Sequence, residues 1–96
     1  MNLHILNQAP DKTSVIQDMF MALSPDDAII LIEDGVIAAL QPPFNGHSEM
    51  RHSVFALKAD LLARGLTERL SNTVTIVDDA EFVELCCKYS KTISWF

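Results

Sequence analysis

The stretch Ala28-Ile29-Ile30-Leu31-Ile32-Glu33-Asp34-Gly35 decides the fold. A strand with one wet face alternates apolar and polar residues, but the first five residues here are all apolar. An unbroken run of that length, stopped by two acids and a glycine, suits a strand covered on both faces of a parallel sheet.

Toward the N-terminus, Leu3-His4-Ile5-Leu6 reads as a second short strand that runs into a turn at Asn7 to Pro10. Between the two strands, Val15, Ile16, Met19, Phe20 and Leu23 recur at helical intervals. Ser14 stands three residues before Gln17 in the spacing of a capping box, and Ser24-Pro25 closes the helix.

Toward the C-terminus, Val36 to Leu40 predicts one or two helical turns. Gln41 to Ser53, with Pro42, Pro43, Asn45 and Gly46, predicts a long loop. Val54-Phe55-Ala56-Leu57 is a third strand, followed by a short helix over Lys58 to Ala63 that stops at Gly65. Val74-Thr75-Ile76-Val77 is a fourth strand. Asp78 and Glu81 repeat the capping spacing and open a helix whose Phe82, Leu85, Cys86 and Tyr89 share one face, and Thr92 to Phe96 forms a fifth strand.

Strands alternating with helices pair in parallel through right-handed crossovers. The expected architecture is therefore α/β, a three-layer α/β/α sandwich with a five-stranded parallel sheet in a single domain spanning residues 1–96. Only two of the helices exceed two turns. Five parallel strands need cover on both faces, so part of the apolar surface is expected to be buried by another subunit.

Composition points the same way. The chain has 96 residues, of which 49% are hydrophobic, and a positive mean hydropathy. A domain this short buries only about 60 to 65% of the surface that its unfolded form exposes. The net charge is −6 and the seven basic residues are scattered, which leaves no basic stripe to hold phosphates. No direct nucleic-acid binding is expected of the chain alone. The acids fall in small groups, among them Asp26 with Asp27 and Glu33 with Asp34, and these read as solvated element ends. The start of the chain does not read as a signal peptide, and apolar runs of about five residues are far too short for a membrane span. Together with two adjacent cysteines outside any disulfide framework, this points to the cytoplasm and away from a membrane.

Few residues recommend themselves for chemistry. Gly35, Gly46 and Gly65 are isolated, so no phosphate-binding loop is present and no cofactor is expected. His47, Glu49 and His52 lack a fourth ligand and regular spacing for a metal. His4 lies inside a strand, where an imidazole bonded to a carbonyl or carboxylate is the structural expectation. Cys86 and Cys87 fall late in a helix beside Glu84, where the dipole disfavours a thiolate. They read as small apolar filler on and beside the core face. Trp95 and Phe96 form an aromatic pair that calls for cover from this subunit or a partner.

The order of Leu3-His4-Ile5-Leu6, Glu33-Asp34-Gly35-Val36-Ile37-Ala38-Ala39, Asp60-Leu61-Leu62-Ala63-Arg64-Gly65-Leu66, Ile76-Val77-Asp78, Phe82-Val83 and Trp95 resembles the DsrH/TusB family of sulfur-relay proteins over essentially the whole chain. That resemblance implies a DsrE/DsrF/DsrH-like fold. It also implies a heterohexamer containing TusC-like and TusD-like subunits, which passes persulfide sulfur, through a TusE-like acceptor, toward 2-thiouridine at the wobble position of transfer RNA. In such a complex the sulfur-carrying cysteine belongs to the TusD-like subunit, so no catalytic, cofactor-binding or metal residue is expected here. Sulfur-oxidiser relatives carry a cysteine on the first helix, where an ungapped alignment back from Glu33-Asp34-Gly35 puts Met19. A thioether cannot hold a persulfide. The alternatives are a DsrH-like sulfur-oxidation subunit, an independent sulfurtransferase using Cys86 or Cys87, and a ligand-binding module with its pocket near Asp34-Gly35 at the carboxyl end of a strand.

Overall fold

The structure, a computed structural model, describes residues 1–45 and 51–96. Its strands are β1 (Asn2–Leu6), β2 (Ala28–Leu31), β3 (Val54–Leu57), β4 (Val74–Val77) and β5 (Lys91–Trp95). They form one parallel sheet in the order β4-β3-β2-β1-β5. The helices are α1 (Thr13–Ala22), α2 (Lys58–Ala63) and α3 (Asp79–Lys88), with 3-10 helices over Glu33–Leu40 and Thr67–Arg69. The α/β sandwich is therefore as expected.

The strand order fixes which helix covers which face. From β1 to β4 the chain steps steadily across the sheet, so right-handed crossovers put α1, the long 3-10 helix and α2 on one face. The step from β4 back past β1 to β5 reverses direction and carries α3 to the other.

Strand side chains divide in register with this. Leu6, Ile29, Leu31, Val54 and Ala56 join Met19 of α1 and Leu61 of α2 in one core. Leu3, Ala28, Ile30 and Val77 join Phe82, Leu85 and Cys86 of α3 in a second, smaller one. All four residues of β2 are buried, as its unbroken apolar run requires.

Three local expectations are corrected. The Ser14–Gln17 capping box does not form, because α1 starts two residues earlier than a Ser14 cap requires, at Thr13. The N-cap there is Lys12, which makes no side-chain cap bond. Its amide instead donates to the Ala9 carbonyl at 3.0 Å, so a backbone turn launches the helix. Glu33-Asp34-Gly35 is the first turn of the 3-10 helix rather than a linker before it. Asp27 is buried rather than a solvated element end.

The Asp78–Glu81 box is present as read. The Asp78 carboxylate accepts from the Glu81 amide at 2.8 Å and Glu81 accepts from the Asp78 amide at 3.0 Å.

Candidate functional site

Three places bring chemically capable side chains together, and each is positioned by the sheet. The first is buried. His4 is fully enclosed, and its Nε2 lies 2.8 Å from Asp27 Oδ2. Its Nδ1 accepts from the Trp95 indole N–H at 3.0 Å. An indole nitrogen can only donate, so Nδ1 is the unprotonated nitrogen and Nε2 carries the proton that it donates to Asp27. The parallel register of β1 with β5 sets His4 and Trp95 on the same face, where their rings stack with centroids 6.1 Å apart.

Asp27 also accepts from the Asn2 amide at 2.8 Å and the Ser24 amide at 3.0 Å. Burial works to raise its carboxyl, but the bonds from Ser24, His4 and Asn2 outweigh it and bring the group down to about 2 from 3.8. The five residues join β1, the segment between α1 and β2, and β5 at one point. His4 has both nitrogens engaged and Ser24 contributes its amide, an arrangement that ties the fold together.

The second place is the carboxyl end of β2. Glu33 adopts a left-handed backbone at φ 50°, uncommon without glycine, and its amide donates to Asp60 Oδ2 at 2.7 Å. Arg64, the C-cap of α2, pairs with Asp34 at 2.8 Å and also bonds the Asp60 carbonyl at 3.2 Å. A methyl group added to Gly35 would run into the Leu6 carbonyl, which accepts from the Ile32 amide. Backbone packs directly against Gly35, and Asp34, itself exposed, is paired with the arginine.

The third place is α3. Cys86 is half-buried against Phe82 and Leu85, and Cys87 is exposed. Burial, with Cys87 adding to it, pushes the Cys86 thiol above its ordinary value of 9.0. A thiol held protonated is a poor nucleophile.

Of the proposed metal residues, His47 and Glu49 lie outside the described residues, as does Gly46. His52 Nε2 lies 3.0 Å from the Ser24 carbonyl. No group of three or more metal-ligating side chains occurs among the described residues, and none of their helices is long and apolar enough to cross a membrane. Trp95 packs into the larger core, whereas Phe96 stays 77% exposed. A 280 Å³ cavity lies between α1 and the turn at Gln41–Phe44, beside the stacked Phe20 and Phe44 rings. Among the described residues no charged side chain lines it, so they offer a ligand no ionic anchor.

Comparison with known proteins places this arrangement. The profile described as DsrH like protein matches residues 8–92. Protein TusB of Pectobacterium parmentieri is 35% identical over 95 residues, covering 97% of this chain and 99% of its own. Protein TusB of Escherichia coli O81 is 38% identical over an aligned length of 97, with the same coverage. The chain belongs to the DsrH/TusB family. The solution NMR structure of protein Tm0979 from Thermotoga maritima superposes with a TM-score of 0.68 at 28% identity, covering 92% of this chain and 93% of that one.

Met19, on α1, is fully buried against the sheet. Sequence reasoning missed Asp27 and its link to Trp95. The only local signal was His4 itself, a buried imidazole that needed a carboxylate or carbonyl partner.

Proposed function

We propose that this DsrH/TusB chain is a non-catalytic subunit of a TusBCD-like sulfur-relay complex required for 2-thiolation of the wobble uridine of transfer RNA. It acts as one domain over residues 1–96 in the cytoplasm, within a heterohexamer of TusC-like and TusD-like subunits that hand sulfur to a TusE-like acceptor. Full-length similarity to TusB proteins supports the pathway.

The observation that carries the non-catalytic role is the state of the two thiols. Cys86 is packed into the smaller core with its thiol pushed up, and Cys87 sits beside it at the negative end of α3. Neither faces a helix N-terminus or a general base. The buried thioether of Met19 weighs against the sulfur-oxidation alternative, which would need a thiol at that position.

The test replaces the chain in cells that lack it and measures 2-thiouridine in digested transfer RNA by mass spectrometry. A Cys86→Ser/Cys87→Ser double variant is expected to restore the nucleoside to within twofold of the unsubstituted chain. Loss of 2-thiouridine from a folded double variant, or a persulfide formed on the purified chain with a sulfur donor and no other subunit, would overturn the non-catalytic reading.

A further inference from the structure

The two faces of the sheet are finished to different degrees. A helix with its side chains is about 10 Å across and strands lie about 4.8 Å apart, so five strands spread over about 19 Å and one helix covers about two of them. Among the described residues, one face carries α1, the long 3-10 helix and α2, whereas the other carries only α3.

What α3 leaves open differs from side to side. Register places Thr92 and Ser94 of β5 on this face, and both are polar and exposed. Toward β3 and β4 the floor is instead Phe55, Thr75 and Val77, with α3 as a wall along Glu81, Glu84 and Leu85. The groove so formed holds 270 Å³. Its one lining cation, Lys88, also reaches over the Tyr89 ring, 5.8 Å from the centroid.

We propose that this groove is the docking site for a single helix of a partner subunit, apolar on the side that meets the half-buried Phe55 and Leu85 and carrying lysine or arginine along the edge that meets Glu81 and Glu84. Space, polarity and charge each select that occupant. The uncovered width beside α3 takes one helix, the apolar floor of a parallel sheet favours burial, and the acidic wall on a chain of net charge −6 attracts a basic edge. The inference deepens the sulfur-relay reading and rests on it, naming the surface through which the subunit enters its complex.

The experiment co-expresses the chain with tagged TusC-like and TusD-like subunits and measures how much chain is retained on the tag. Thr75 and Glu84 are both exposed, so Thr75→Arg/Glu84→Arg changes the groove without touching a core. Leu62→Arg, on the exposed side of α2 at the opposite face, is the control. Circular dichroism and thermal melting establish that each variant is folded, and Glu84→Gln alone supplies a milder variant should the double one not be.

At least a tenfold loss of retention is expected for the double variant and a smaller loss for Glu84→Gln, the latter shrinking as salt rises, with Leu62→Arg within twofold of the unsubstituted chain. Retention of the folded groove variants within twofold, or equal loss in the Leu62 variant, would overturn the proposal. So would a groove variant that keeps both partners but loses self-association on size exclusion, which would assign the groove to a second copy. An unsubstituted chain that holds neither partner would strike the sulfur-relay reading itself, a distinct outcome.

Discussion

Leu61 and Leu85 sit on helices packed against opposite faces of one sheet, yet their surroundings differ. Leu61 is fully buried under α2, within a core shared by α1 and the long 3-10 helix. Leu85 is half-buried on α3, a ten-residue helix with no fully buried residue. The difference teaches that stability and interaction are separated by face. One face supplies the core of the chain, and the other is left partly unfinished, as a subunit built to be completed by a neighbour would be.

The largest expected effect tests that separation directly. Leu61→Ala opens a cavity with no room to collapse and is expected to cost about 3 kcal/mol, whereas Leu85→Ala removes atoms that already touch water and is expected to cost about 1 kcal/mol. Urea denaturation of the two variants measures both. Equal losses would mean that the α3 face is as well packed as the other, and the asymmetry would fall.

A smaller effect concerns a buried polar pair on the well-covered face, His4 with Asp27. The folded carboxyl is lowered from 3.8 to about 2, so it binds its proton less readily than in the unfolded chain. Its stabilisation, about 2 kcal/mol, is therefore fully present above pH 4 and is lost as the pH falls through 2. Asp27→Asn is expected to lower the urea midpoint at pH 7, and the gap to the unsubstituted chain is expected to close between pH 4 and pH 2. A gap of constant size would show that the charge contributes nothing and that shape alone matters there.

Legibility in the sequence followed the range of the interaction. Val54–Leu57, Val74–Val77 and Lys58–Ala63 appear with the bounds that their patterns predict, and the Asp78–Glu81 box forms, because each is settled within a few residues. The Ser14–Gln17 spacing misled because an identical local signal lost to a backbone turn two residues upstream. Asp27 was unreadable for another reason. Its bond from Ser24 is local, but the other two groups that hold it, Asn2 and His4, lie more than twenty residues away. Trp95 bonds His4 across 91 positions, a pairing that depends on β5 returning to lie beside β1. The two-faced asymmetry was half legible: the shortage of long helices announced missing cover, but only the reversal from β4 to β5 shows which face lacks it.

The smallest effect bears on what holds the covered face together. Arg64, at the C-cap of α2, and Asp34 of the long 3-10 helix form an ion pair 2.8 Å long between two of its three segments, and the pair could be mistaken for the fastener. Asp34 is 64% exposed and Arg64 29%, so water and salt screen the attraction, and exposed pairs of this kind contribute about 0 to 1 kcal/mol. Asp34→Ala is therefore expected to leave the urea midpoint almost unchanged, with any loss disappearing in 1 M salt. Gly35→Ala, one residue on, drives a methyl into the Leu6 carbonyl and is expected to be far more damaging. Adjacent substitutions with such unequal outcomes would locate the strength of this face in close packing against the sheet. A large, salt-sensitive loss from Asp34→Ala would locate it in the charges, and the contrast between a packed face and an open one would have to be redrawn as one between a charged face and an apolar one.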